Sequence, residues 1–267
     1  MKPFKYLLAA MMLLAFAACS DDDGPVLPPE DENIASQFDT RFAAKLMLEG
    51  YISNMHHITR AEVEGIKELV VTSSADYHDG NGLKSLKGIE YFTSLAVLDC
   101  GFNNIESLDV SHNTALTQLD CGFNNLTTLD VSHNTGLEYL GCEANELTAI
   151  DLSQNTALVY MSCVSNQLTA IDLSQNTALT LMDCTGNRLS ALDVSRNTAL
   201  TILYCTRNEL TSIDLSRNTA LESFWCDDNP GRDGIFEVTL WPGSELTAWN
   251  DSWEYEDRTV TVEYKGR

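Results

Sequence analysis

The chain is predicted to be a solenoid, mostly β with parallel strands and with a small helical cap at its N-terminal end. Three observations predict it. Cys100, Cys121, Cys142, Cys163, Cys184, Cys205 and Cys226 are each 21 residues from the next. An asparagine follows each of them by three: Asn103, Asn124, Asn145, Asn166, Asn187, Asn208 and Asn229. Before each cysteine, core and solvent positions alternate, as Leu119 and Cys121 do with Gln118 and Asp120. A fixed period of roughly 20–50 residues marks stacked turns, each covering the apolar face of its neighbour.

The first 18 residues read as a leader rather than as part of this fold. Lys2 and Lys5 precede an unbroken apolar run over residues 7–18, too short to span a bilayer and composed like a signal-peptide core. The run ends in Phe16-Ala17-Ala18-Cys19, which resembles a lipobox, with Phe16 where an aliphatic residue is usual. The resemblance implies cleavage before Cys19 and a diacylated, palmitate-type anchor on that cysteine. A plain secretory signal is the alternative. Residues 19–32 open with Ser20-Asp21-Asp22-Asp23 and continue rich in Pro and acids, a composition that builds no core and reads as a disordered tether. The acidic start is similar to the tag that sends some Gram-negative lipoproteins to the outer face of the outer membrane. Localisation there, facing the cell exterior, is the expectation.

Residues 33–92 are expected to form the helical cap and a degenerate first repeat. Phe38, Phe42, Leu46 and Met47 recur at helical spacing, and Thr59-Arg60-Ala61-Glu62 reads as a capping box opening a second short helix. Ile66, Leu69 and Val71 read as a degenerate strand, followed by a polar excursion over 73–82. Leu83, Leu86, Ile89 and Phe92 lead into the array. The solenoid proper spans 93–230, and residues 231–267, with strand-like alternation at 236–241 and 259–264, form a β cap.

Within each turn the pattern is Leu-x-x-Leu-x-Cys-x-x-Asn-x-Leu, for example Leu116, Leu119, Cys121, Asn124 and Leu126. With this pattern the chain resembles the leucine-rich repeats of the short bacterial, internalin-like kind, over roughly residues 59–230. The resemblance implies a right-handed, horseshoe-shaped superhelix and a role in adhesion or protein recognition. Related proteins often carry an EF-hand-like loop in the helical cap. Residues 51–57 here lack the alternating Asp/Asn ligands, so no calcium is expected there. The asparagine side chain is expected to satisfy backbone groups left open by the turn. The second half of each turn, Leu-Thr-x-Leu-Asp-Val/Leu-Ser-x-Asn-Thr, is expected to be extended, with almost no helix.

The cysteine row reads chiefly as buried free thiols packing as small hydrophobes. A straight row cannot converge four ligands on one ion, so no metal is assigned; a disulfide between neighbouring rungs stays open. A second row, Asp109, Asp130, Asp151, Asp172, Asp193 and Asp214, is expected to accept hydrogen bonds from Ser or Thr of its own turn, such as Ser111 and Thr114. Cation sites along it are the alternative.

The candidate binding residues are the variable, outward ones. Tyr139, Tyr160, Leu181 and Ile202 stand in one column and Tyr204 and Trp225 in the next. Together they predict an exposed apolar and aromatic stripe on the concave face, which Phe102 and Phe123 extend. No catalytic residue or cofactor is assigned: no nucleophile, phosphate-loop or metalloprotease motif occurs, and His112 and His133 are repeat decoration. Cleavage before Cys19 leaves 14 basic and 39 acidic residues, a net charge of −25. That surface repels nucleic acid and anionic lipid, so membrane contact is expected only through the anchor. A monomeric surface protein that recognises another protein is the principal reading. A glycan-binding accessory lipoprotein and a scaffold without ligand are the alternatives.

Overall fold

The computed structural model describes residues 29–73, 82–247, 250–256 and 258–266. The leader, Cys19 and the front of the tether lie outside them, as do residues 74–81 of the polar excursion.

The arm that carries the cysteine contributes one three-residue strand per turn, with alternate side chains facing in and out. Strands β1 (Glu68–Val70), β2 (Val97–Asp99), β3 (Gln118–Asp120), β4 (Tyr139–Gly141), β5 (Tyr160–Ser162), β6 (Leu181–Asp183) and β7 (Ile202–Tyr204) pair in parallel and in sequence order. The second arm of the last full turn forms β8 (Ser212–Asp214), and β9 (Ser223–Trp225) completes the eight-stranded sheet beside β7. Register advances by whole turns, so Leu98 faces Leu119 and Met161 faces Met182. In β2–β7 and β9 the middle residue and the cysteine after the strand are buried, as are Leu69 and Val71 at β1.

The first asparagine row holds the turns together. The Asn124 Nδ2 lies 3.0, 3.1 and 3.2 Å from the carbonyls of Cys100, Cys121 and Gly122, while its Oδ1 accepts the Ile105 N–H at 2.9 Å. One side chain therefore ties its own turn to the turn before it, and the pattern recurs from Asn103 to Asn229. Unpaired, those buried groups would each cost about 1–3 kcal/mol.

A second buried asparagine row supports the opposite side. Asn134 Nδ2 donates to Val110 O and Asn113 O at 3.0 and 2.9 Å, and Asn155, Asn176, Asn197 and Asn218 repeat this. Side chains thus replace most of a ladder there. The second arm shows only an isolated Asp109–Asp130 bridge before β8, rather than a regular second strand in every turn. No helix interrupts the repeats.

After each cysteine the backbone turns through a left-handed residue. Phe102, Phe123, Ala144, Ser165, Gly186, Arg207 and Asp228 all hold φ between 50° and 70°.

The ends are closed differently. At the N-terminal end, helix α1 (Thr40–Leu48) is capped by Asp39, whose Oδ1 accepts from Arg41 N and Phe42 N at 2.9 and 3.0 Å. It buries Phe42, Ala43 and Leu46, while Met47 is exposed. Phe38 lies ahead of the helix and packs against Phe42, Tyr91 and Phe92. Helix α2 (Arg60–Val63) follows Thr59 as its N-cap residue, but the capping box does not form. The Glu62 carboxylate is taken by Ser53, whose N–H and Oγ donate to it at 2.9 and 3.0 Å. At the other end, β10 (Ile235–Thr239), β11 (Ser252–Tyr255) and β12 (Arg258–Lys265) join β8 in a four-stranded sheet. There Phe236, Val238, Trp253 and Val260 are buried, and Trp253 Nε1 donates to Asn229 O at 2.8 Å.

Replacing Asn166 by alanine strips partners from Leu147 N–H and the Cys142 carbonyl. Chemical denaturation should show a loss of about 2–4 kcal/mol. The exposed Gln154→Ala should stay within about 0.5 kcal/mol of the parent.

Candidate functional site

The outward positions of the eight-stranded sheet are not consumed by the core, and only Asp99, Asp120 and Asp183 among them accept a turn N–H two residues on. Strand pairing sets Tyr139, Tyr160, Leu181 and Ile202 side by side in that order. Tyr204 and Trp225 adjoin in the neighbouring column. The structure thus places all six on one face. They are half-buried rather than fully exposed, because parallel strands about 4.8 Å apart bring like side chains into contact. Tyr139 and Tyr160 stack at 4.4 Å with 9° between planes, and Tyr204 and Trp225 meet at 4.5 Å and 33°. Phe102 and Phe123 stack at 4.4 Å just beyond the strands, in the left-handed positions, and Phe102 remains exposed.

Two groups of carboxylates flank this stripe. Asp99 and Asp120 lie in register. Glu143, in the turn after β4, reaches back over two glycines: a Cβ on Gly122 would lie 2.8 Å from Glu143 Cδ, and one on Gly141 only 3.2 Å from Glu143 Oε2 and 3.4 Å from Asp120 Cγ. The absent side chains let the Glu143 and Asp120 carboxylates converge. Burial, with Glu143 and Asp99 adding, pushes the Asp120 carboxyl up to about 6, although the Gly122 N–H donated to it opposes this. At the C-terminal end of the face, Asp183, Tyr204, Trp225, Asp227 and Asp228 border a cleft of about 380 Å³ that reaches Asn250. Thr206 Oγ1 donates to Asp227 at 3.1 Å, and Arg207 Nε pairs with Asp228 at 3.1 Å.

The two repeating chemical rows serve the scaffold. All seven ladder cysteines are buried free thiols, and burial pushes each thiol well above its ordinary range. Each of the first six sets Sγ 3.3–3.6 Å from a carbonyl of the next turn. They are neither nucleophiles nor ligands in this setting. In the aspartate row the partner is the serine two residues on: Ser111 N and Oγ donate to Asp109 at 3.0 and 2.6 Å. Such bonds hold Asp109, Asp130, Asp151, Asp172 and Asp193 below the ordinary carboxyl range. Among the described residues no group of three or more His, Cys, Asp or Glu is arranged to hold a metal ion.

Reading the sequence column by column finds the six stripe residues but not Glu143, whose position is a turn position. Its signal is the glycine pair at 122 and 141, which leaves space beside one longer acid. Because the folded state binds a proton at Asp120 more readily than an ordinary carboxyl does, stability from this group is full below about 3.8 and is lost as pH rises through about 6. Asp120→Asn, which keeps the acceptor for Gly122, should melt like the parent in acid and above it at neutral pH in pH-resolved thermal unfolding.

No protein-family model matches the chain, and no curated protein does. Solved structures do. The functional domain of InlJ from Listeria monocytogenes, described as including a cysteine ladder, is 32% identical over 81% of this chain and 54% of its own, with a TM-score of 0.62. A leucine-rich-repeat protein of Leptospira interrogans is 24% identical over 64% of this chain and 45% of its own, at TM-score 0.59. Internalin C2 of Listeria monocytogenes, at 20% identity, covers 73% of this chain and 96% of its own with TM-score 0.54. The chain spans about half the length of the first two. The fold is a leucine-rich-repeat solenoid of the internalin-like kind.

Proposed function

We propose that this chain is a protein-recognition module that binds another protein across the outward face of its eight-stranded sheet. The supporting observation is the division of labour along each turn. Leucines, cysteines and two asparagines are held constant by packing and backbone pairing, while the outward columns vary and gather Tyr139, Tyr160, Leu181, Ile202, Tyr204 and Trp225 in one place. Aromatic side chains fixed on a rigid sheet are suited to act as interface anchors, since they bring large contact area with little rotamer entropy to lose. The stacking favours this reading over a glycan platform: Tyr139 and Tyr160 each cover one face of the other, which leaves less open ring surface for a sugar.

Display is part of the same proposal. The lipobox-like Phe16-Ala17-Ala18-Cys19 and the acidic tether after it support an anchor at Cys19 and presentation outside the outer membrane. Protease added to intact cells should then remove the folded array; persistence of the full chain would place it on the periplasmic side.

For the binding face, a partner recovered by cross-linking to the parent chain should lose at least about thirtyfold in affinity for Tyr160→Ala/Trp225→Ala, the scale of two anchor residues. Undiminished affinity in a variant that melts like the parent would move the binding surface elsewhere.

A further inference from the structure

The sheet face just described carries one sign of charge around its apolar stripe. Asp99, Asp120 and Glu143 stand toward the N-terminal side, and Asp183, Asp227 and Asp228 toward the C-terminal side. The base among them is Arg207, already paired with Asp228. Arg196 and Arg217 lie beside Asp193, in the aspartate row.

This distribution constrains whatever covers the face. Burying carboxylates without counter-charge costs several kcal/mol per ion, so a neutral or acidic surface laid on the stripe would be opposed at both ends. An occupant must bring cations to two places and apolar contact between them. The C-terminal place is a cleft of about 380 Å³ in which Asp183 and Asp227 stand beside the Tyr204 and Trp225 rings. Carboxylates beside aromatic rings suit a guanidinium better than an ammonium, because the planar group pairs with the acid and stacks on the ring. The N-terminal place is where Asp120 and Glu143 converge over Gly122 and Gly141. Glu143 Oε2 is buried there and, among the described residues, receives no hydrogen bond, so it holds an unmet demand for a donor.

We propose that the sheet face takes a basic, extended polypeptide segment of its partner, with one arginine over Asp120 and Glu143 and a second in the cleft at Asp183, Trp225 and Asp227. The inference rests on the sheet face being the binding surface. The two places are three to four strands apart, roughly 14–19 Å at about 4.8 Å per strand, a span matched by about five residues of extended chain.

The test uses the full chain and three short synthetic peptides of Gly and Ser: one with two arginines about five residues apart, one with glutamates at those positions, one with neither. Calorimetric titration should show the diarginine peptide binding at least about tenfold tighter than the other two and weakening with salt. Asp120→Asn/Asp183→Asn should lose about tenfold of that affinity, whereas Asp151→Asn/Asp172→Asn, which removes equal charge from the other side, should not. Equal binding of all three peptides, or equal loss in both double variants, overturns the proposal, and the comparison among peptides on the parent chain does so even if a variant fails to fold. If the cross-linked partner is lost with Tyr160→Ala/Trp225→Ala yet the diarginine peptide neither binds nor competes, the sheet-face reading stands and the basic segment is refuted.

Discussion

The buried asparagine amide after each strand is the interaction on which the rest of the molecule depends. In seven successive turns its nitrogen bonds carbonyls of two turns and its oxygen takes an N–H of the turn before. No other side chain of that size offers both two donors and an acceptor in one plane. The geometry works only if the asparagine always arrives at the same point of the coil. The constant 21-residue spacing from Asn103 to Asn229 meets that requirement in every regular turn. Extra length is tolerated only away from that point: β1 and β2 lie 29 residues apart, yet Asn103 still reaches Val71 O and Leu83 N–H at 3.0 and 2.9 Å.

With the interior and the turns fixed in this way, recognition is confined to what remains. The outward strand positions carry little structural duty beyond the turn N–H that Asp99, Asp120 and Asp183 each accept, so they vary while their places stay rigid. Stacking between neighbours then organises them: side chains one turn apart meet face to face, as the Tyr139–Tyr160 and Phe102–Phe123 pairs do. The same proximity gathers like charges, and the glycines at 122 and 141 let Glu143 join Asp120. The aspartate row on the opposite side shows the contrast. There each carboxylate is satisfied by its own serine.

The sequence made the main sheet legible because its signal is repeated in phase: Leu119, Cys121 and Asn124 each have equivalents one turn away. The second asparagine row was present in the same motif, yet its burial was not inferred, since Asn134 sits beside Ser132 and His133 in a stretch that reads as a polar turn. Its amide replaces strand pairing, which is why the second arm is less regular than expected. The capping box at Thr59 fails because Glu62 meets Ser53, nine residues away, a tertiary competitor that local spacing does not reveal. The stripe residues were legible as outward-facing, whereas their half-burial depends on how neighbouring rings settle against one another.

The left-handed residue after each cysteine has a further consequence. Glycine holds that conformation at no steric cost, and other residues bear about 1 kcal/mol or more of strain. Glycine nevertheless occupies it only at 186, with Phe, Phe, Ala, Ser, Arg and Asp in the other turns. The backbone there is dictated by the coil, so the side chain is free to change without altering the path of the chain. The column is a set of interchangeable sockets, seven in a row at fixed spacing. Through them the surface of this solenoid can be rewritten one turn at a time while its frame stays the same.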